Sequence, residues 1–236
     1  MKVACASSRS VQVFQLCYSI GMEKVDIFID AGNFYHMVLK KLGCREMNFD
    51  FEKFAQFLKG DNREIAFGGK RYYVGTVRET MNGHESKQAM SNQNSLFSNL
   101  IQTGWMIKTS KLRTRLEKIK VDDRMQGYKK IFKTGIKEII YERSREKGID
   151  VKLATDLIVG AVDNKYDTAI VVSSDTDLIP AVQWVRARMK KKVEYIGFSF
   201  PQTAKVEATR PVKTLIYNTD VQRVLSENDI KPFMKP

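Results

Sequence analysis

The stretch YDTAIVVSSDTDLIPAVQWV, residues 166–185, constrains the fold more than any other. Ala169, Ile170, Val171 and Val172 form a β-branched, apolar run with no polar alternation. Such a run reads as a strand buried on both faces, the kind found inside parallel sheets. It stops at Ser173 and Ser174, and Leu178, Ile179, Val182 and Val185 then follow at helical spacing. A buried strand feeding directly into an amphipathic helix is half of a βαβ unit. Two carboxylates, Asp175 and Asp177, stand at the junction. Ser174-x-x-Asp177 fits a capping box, and acids suit the positive end of a helix dipole. The same position also suits a metal or phosphate site, because open α/β sheets bind ligands at the carboxyl ends of their strands.

Other segments repeat the alternation. KVDIFIDAGNFYHMVLKKLG, residues 24–43, is a strand then a helix, with Val25, Ile27 and Ile29 alternating with Asp26 and Phe28. A short amphipathic helix is expected over 48–60, strands over 70–78 and 105–112, and a helix over 85–103. A buried helix over 148–166, a strand over 167–174, a helix over 177–189 that Trp184 is expected to anchor to the core, and a strand over 191–198 follow. VKTLIYNTD, 212–220, is expected as a short sixth strand. The alternation predicts parallel pairing through right-handed crossovers. The fold class is a three-layer α/β/α domain around a central, mainly parallel sheet, spanning 22–225. Residues 1–21 read as a loosely ordered extension and 226–236 as a tail.

Charge narrows the partner. The chain of 236 residues carries 40 basic and 27 acidic side chains, a net charge of +13, which favours a polyanion such as nucleic acid. Lys and Arg concentrate between 108 and 147, read as an elaborated connection. There Lys129 and Lys130 are candidate substrate contacts. No apolar run reaches the length of a membrane span. The three cysteines lack metal-ligand spacing, and two histidines do not suit a histidine-rich zinc site. A reduced, cytoplasmic setting is the simpler expectation.

The acidic residues converge if the first strand and the strand at 167–174 are neighbours. Asp30 then ends one strand beside Asp175. Asp156 lies in a helix that is apolar on most sides. Either it pairs with Lys152 four residues earlier, or it points to the same rim. Several carboxylates at one spot stay ionised together only with cations to compensate them. Oxygen ligands without His or Cys favour Mg²⁺ or Mn²⁺.

In this order, VDIFIDAGNFY, KGIDVKLATDLI, YDTAIVVSSDTDLIPAVQWV and KKVEYIGF resemble the NYN-domain family, in its LabA-like branch of the PIN-like metal-dependent nucleases. The resemblance covers about residues 24–200. It implies a PIN-like sheet, with Asp30, Asp156, Asp175 and Asp177 as an acidic cluster that holds Mg²⁺ or Mn²⁺. It also implies that Asn33 orients a ligand or water and that Ser173 shapes the pocket; Lys152 is a further candidate substrate contact. The implied activity is metal-dependent hydrolysis of RNA phosphodiester bonds, with RNA expected rather than DNA. Self-association is left open. Two departures stand out: Ser174 replaces the usual glycine, and the basic connection is long. A haloacid-phosphatase-like enzyme would need a second acidic motif downstream, which is missing. No phosphate-binding glycine motif follows a strand. The remaining alternative is a nucleic-acid-binding protein that uses the same scaffold without cleavage.

Overall fold

The computed structural model describes residues 21–76, 83–111, 113–145, 148–202 and 207–235. The extension expected over 1–21 lies, apart from Gly21, outside the described residues. In chain order the elements are β1 (Glu23–Asp30), α1 (Ala31–Phe34), α2 (Phe51–Lys59), β2 (Arg63–Thr76), α3 (Gly83–Gln102), β3 (Met106–Lys111), β4 (Arg113–Lys120), α4 (Tyr128–Phe132), β5 (Glu138–Arg145), α5 (Ile149–Val162), β6 (Thr168–Val172), α6 (Ile179–Met189), β7 (Lys192–Phe198), α7 (Lys213–Asn218), β8 (Val221–Leu225) and α8 (Glu227–Ile230). A π-helical turn, Tyr35–Leu39, continues α1.

One six-stranded sheet has the order β3-β2-β1-β6-β7-β8, and every neighbouring pair is parallel. The β1–β6 register runs from Val25 opposite Thr168 to Ile29 opposite Val172. Both strands are central, which explains why β6 is apolar without alternation. Helices cover both faces. On one face Val25, Ile27 and Ile29 pack with Phe34, with Phe54 and Leu58 of α2, and with Leu96 and Leu100 of α3. On the other face Phe28 and Val171 pack with Leu153 and Leu157 of α5 and with Val182 and Val185 of α6. This is the three-layer α/β/α architecture.

β2 carries an irregularity that matters for the core. Its register against β1 jumps from Ile65 opposite Val25 to Lys70 opposite Ile27. Gly69 sits in the bulge, where a Cβ would lie 2.4 Å from Asp26 Oδ1 and 2.8 Å from the Ala66 carbonyl oxygen. Only glycine lets the bulged backbone close over the Asp26 carboxylate.

Four expectations change. Residues 212–220 are not a strand: Lys213–Asn218 is helix α7, and the sixth strand is β8. Thr219 Oγ1 donates to the Leu215 carbonyl at 2.8 Å and closes that helix. β8 is an edge strand with only Leu225 buried, so its sequence lacks the apolar alternation that marks inner strands. The basic connection contains an antiparallel ribbon, β4 with β5, separate from the main sheet. Trp184 is not a core anchor but is 38% exposed, because Ala181, Val182 and Val185 take the inner face of α6. Residues 226–235 are not a trailing tail. Ile230 and Phe233 are buried, and Phe233 meets the rings of Phe49, Phe54 and Phe57 at 5.3–6.1 Å. Among the described residues no helix is long and apolar enough to cross a membrane.

Candidate active site

From β1 the chain moves outward through β2 to β3, then returns beside β1 as β6 and moves the other way. The winding therefore reverses between β1 and β6. At such a switch point the loops leave in opposite directions and open a crevice at the carboxyl rim. Asp30 is the last residue of β1, and Ser173 to Asp175 follow β6 directly.

Asp30 is 3% exposed and caps α1. Its Oδ1 accepts the Asn33 amide at 3.1 Å. Its Oδ2 accepts Asn33 Nδ2 at 2.5 Å and the Ser173 hydroxyl at 3.0 Å. Burial pushes the Asp30 carboxyl above its ordinary range; the Asn33 and Ser173 hydrogen bonds oppose this, and the nearby Asp175 adds to it. Ser173 is buried, and its Oγ also accepts the Asp175 amide at 3.1 Å, so one hydroxyl ties the two strand ends together. The Ser174 hydroxyl donates to Asn33 Oδ1. Asn33 is thus held from both strands with a fixed orientation.

Capping and site-building prove compatible. Asp175 accepts the Asp177 amide at 2.8 Å and caps the 3₁₀ turn Thr176–Leu178. The expected Ser174–Asp177 box is replaced, since Ser174 turns to Asn33. Asp177 is exposed.

A cavity of about 330 Å³ opens here, lined by Asp30, Gly32, Asn33, His36, Ile149, Asp150 and Asp175. Asp150 and His36 were not candidates from sequence. Asp150 stands in the first turn of α5, where an acid is routine for the dipole, so its local signal is weak. Gly148, at φ 89°, turns the chain into that helix.

Asp156 does not line this cavity. Six residues beyond Asp150, it is about 9 Å further along α5 and roughly 120° around it. Its Oδ2 accepts the Tyr73 hydroxyl at 2.9 Å and pairs with Lys108 Nζ at 3.3 Å. The anticipated Lys152 partnership is absent; the Lys152 ammonium donates to the Thr109 carbonyl instead. Lys129 and Lys130 are exposed on α4, between the ribbon strands, and do not line the cavity. Of the four expected aspartates, Asp30 and Asp175 border this cavity and Asp156 and Asp177 do not. Among the described residues, no group of three or more His, Cys, Asp or Glu side chains is disposed to hold a metal ion. Asp156 is neutralised by Lys108, Asp177 faces solvent, and the remaining carboxylates border an open cavity.

This donor set still suits Mg²⁺ or Mn²⁺. It is made of carboxylate oxygens, and the nearby Asp175 disfavours ionisation of the buried Asp30. Mg²⁺ keeps several waters and is commonly held by one or two carboxylates together with substrate phosphates, so an enclosing cage is not needed.

A doubly wound parallel sheet with carboxylates at its switch point defines a PIN-like α/β domain. The NYN domain model matches residues 24–215, and the chain belongs to the NYN-domain family. Domains of this family are generally nucleases, which implies nucleic-acid substrates. Among solved structures the chain is similar to a protein of unknown function from Vibrio parahaemolyticus. The two share 19% identity over 88% of this chain and 95% of that one, with a TM-score of 0.47. No curated protein matches the sequence significantly.

Proposed function

We propose that the protein is a LabA-like NYN ribonuclease that hydrolyses RNA phosphodiester bonds with Mg²⁺ or Mn²⁺. The observation that carries this reading is the meeting of Asp30, Asp150 and Asp175 around one cavity at the switch point of the sheet. A carboxylate-lined cavity would repel a polyanion unless cations join it, and a basic chain gathers that polyanion elsewhere on its surface. Asp30 and Asp175 are the residues that would hold the ion. When bound, the ion lowers the pKa of a water and offsets charge on the phosphodiester. Asn33, fixed by Asp30 and Ser174, orients a water or phosphate oxygen. Asp150, at the mouth of α5, takes up the proton of the attacking water as the new P–O bond forms and the P–O bond to the leaving nucleoside breaks, and the leaving oxygen is protonated from solvent. Asp156 braces Tyr73 and Lys108 behind the cavity.

The test is cleavage of single-stranded RNA with Mn²⁺ and with EDTA. Asp175→Asn and Asp150→Asn should each lower the rate at least about 100-fold, the scale for lost acid–base or ligand groups. Asp156→Asn should keep most activity. Wild-type cleavage by Asp175→Asn would refute the assignment. RNA bound tightly but never cut would leave a binding protein on this scaffold.

A further inference from the structure

A second cavity, of about 500 Å³, lies on the other side of the π-helical turn, between that turn and α3. Its wall includes Tyr35, Lys40, Arg45, Met47, Asn92 and Leu96. This mixture is unlike the acidic cavity. It offers an exposed aromatic ring, two cations, an amide and an apolar floor.

The π turn builds the arrangement. In an α-helix, residues five apart point in different directions, whereas a π turn closes i to i+5 and aligns them. The Lys40 amide donates to the Tyr35 carbonyl at 2.8 Å, so Lys40 stacks one turn beyond Tyr35 on the same wall. Arg45 follows in the succeeding loop. Among the described residues neither Lys40 nor Arg45 is in an ion pair. Glu46 also borders the cavity, but its carboxylate is half-buried and accepts the Tyr72 hydroxyl at 2.6 Å. Burial pushes that carboxyl above its ordinary range, against the Tyr72 hydrogen bond. Asn92 Oδ1 accepts Gln88 Nε2 at 3.0 Å, and this fixes the Asn92 amide at the rim.

The two cavities are adjacent. Tyr35 lines this one and His36 lines the acidic one, and their rings meet edge to face at 5.3 Å between centroids. We infer that the Tyr35 cavity is a nucleotide subsite for single-stranded RNA, taking the nucleotide next to the bond in the acidic cavity. Its unpaired base stacks on Tyr35, and its phosphate meets Lys40 and Arg45. The volume is within the range of small-ligand sites. Stacking on an aromatic face accepts any base but requires that base to be unpaired. This inference rests on the acidic cavity being the nuclease site, and its test is therefore read by binding rather than cleavage.

The probe is a fluorescein-labelled single-stranded RNA, with a duplex RNA of equal length beside it. Affinity is measured by anisotropy in EDTA over a salt series. Tyr35→Ala should weaken single-strand binding by about 5- to 150-fold, the range supplied by base stacking. Tyr35→Phe should bind like wild type, and duplex affinity should not change. Lys40→Ala with Arg45→Ala should flatten the salt slope by about 0.7, the value for one neutralised phosphate on a single strand. The subsite is overturned if Tyr35→Ala binds single strands as tightly as wild type, if duplex affinity falls equally, or if the slope does not move. It is also overturned if the wild-type chain binds no single-stranded RNA. Loss of binding in Tyr35→Ala together with no cleavage by wild type in Mn²⁺ keeps the subsite and removes the nuclease reading. Cleavage with unaffected Tyr35→Ala binding does the reverse.

Discussion

Arg71→Met tests the electrostatics of the sheet that carries Asp30. Asp26, on β1, is fully buried. Arg71 Nη1 on β2 donates to Asp26 Oδ2 at 2.6 Å, and its guanidinium lies 4.9 Å from the Phe28 ring centre. Asp26 Oδ1 has no hydrogen-bond partner. Burial already pushes the Asp26 carboxyl above its ordinary range, with Arg71 the main opposing influence. Methionine keeps much of the stem volume and removes the charge, which leaves a buried carboxylate uncompensated. Breaking a buried pair in this way costs about 3–5 kcal/mol. That is a large share of a typical total of about 5–15 kcal/mol. For a domain of this size each kcal/mol shifts Tm by about 2–4 °C, so a fall of roughly 6–20 °C is expected. The pH dependence has a definite sign. A carboxyl whose folded pKa is raised contributes stability that is present below its unfolded pKa and is lost as pH rises through the folded one. Without Arg71 the folded pKa of Asp26 rises further. The deficit of the variant should therefore be largest above pH 7 and shrink on acidification towards pH 5. Urea denaturation at pH 5, 6.5 and 8 measures this. Adding Asp26→Asn should recover part of the loss, because the two groups act as one unit. A deficit below about 1 kcal/mol, or one independent of pH, would refute the reasoning. Cleavage should weaken with stability, since Asp26 lies on the strand that ends at Asp30.

Phe233→Ala should destabilise by about 3–5 kcal/mol in urea, because it empties an aromatic cluster rather than trimming a tail. A loss below about 1 kcal/mol would detach 226–235 from the core. Mn²⁺ should raise the Tm of the wild-type chain, by about 2.7 kcal/mol of stabilisation at a hundredfold excess over Kd. It should do so much less for Asp175→Asn, and equal shifts would remove Asp175 from the ion site. Lys129→Glu with Lys130→Glu should weaken RNA binding and flatten its salt slope by about 1.4 if α4 guides substrate. An unchanged slope would make that surface only a solvated one.

Much of this protein was legible as pattern. The apolar runs of β1 and β6 and the helical spacing after each follow from side-chain periodicity, which is a local property. Parallel pairing follows from the alternation itself, and it places Asp30 and Asp175 at strand ends from sequence alone. What periodicity could not report was partnership across the chain. Asp156 looked exposed to an unpaired-charge penalty because Lys108 and Tyr73, its partners, lie 48 and 83 residues earlier. Asp150 looked like an ordinary first-turn acid because its significance lies in sharing a cavity with Asp30 at the end of β1. β8 and α7 were confused because an edge strand buries one residue and leaves little pattern. Phe233 is core only because α2, and Phe49 just before it, present the rings it packs against. The chain's own periodicity dictates which elements form. Tertiary structure decides which charges are neutralised and which remain available, because electrostatic and packing partners are chosen by distance in space rather than along the sequence.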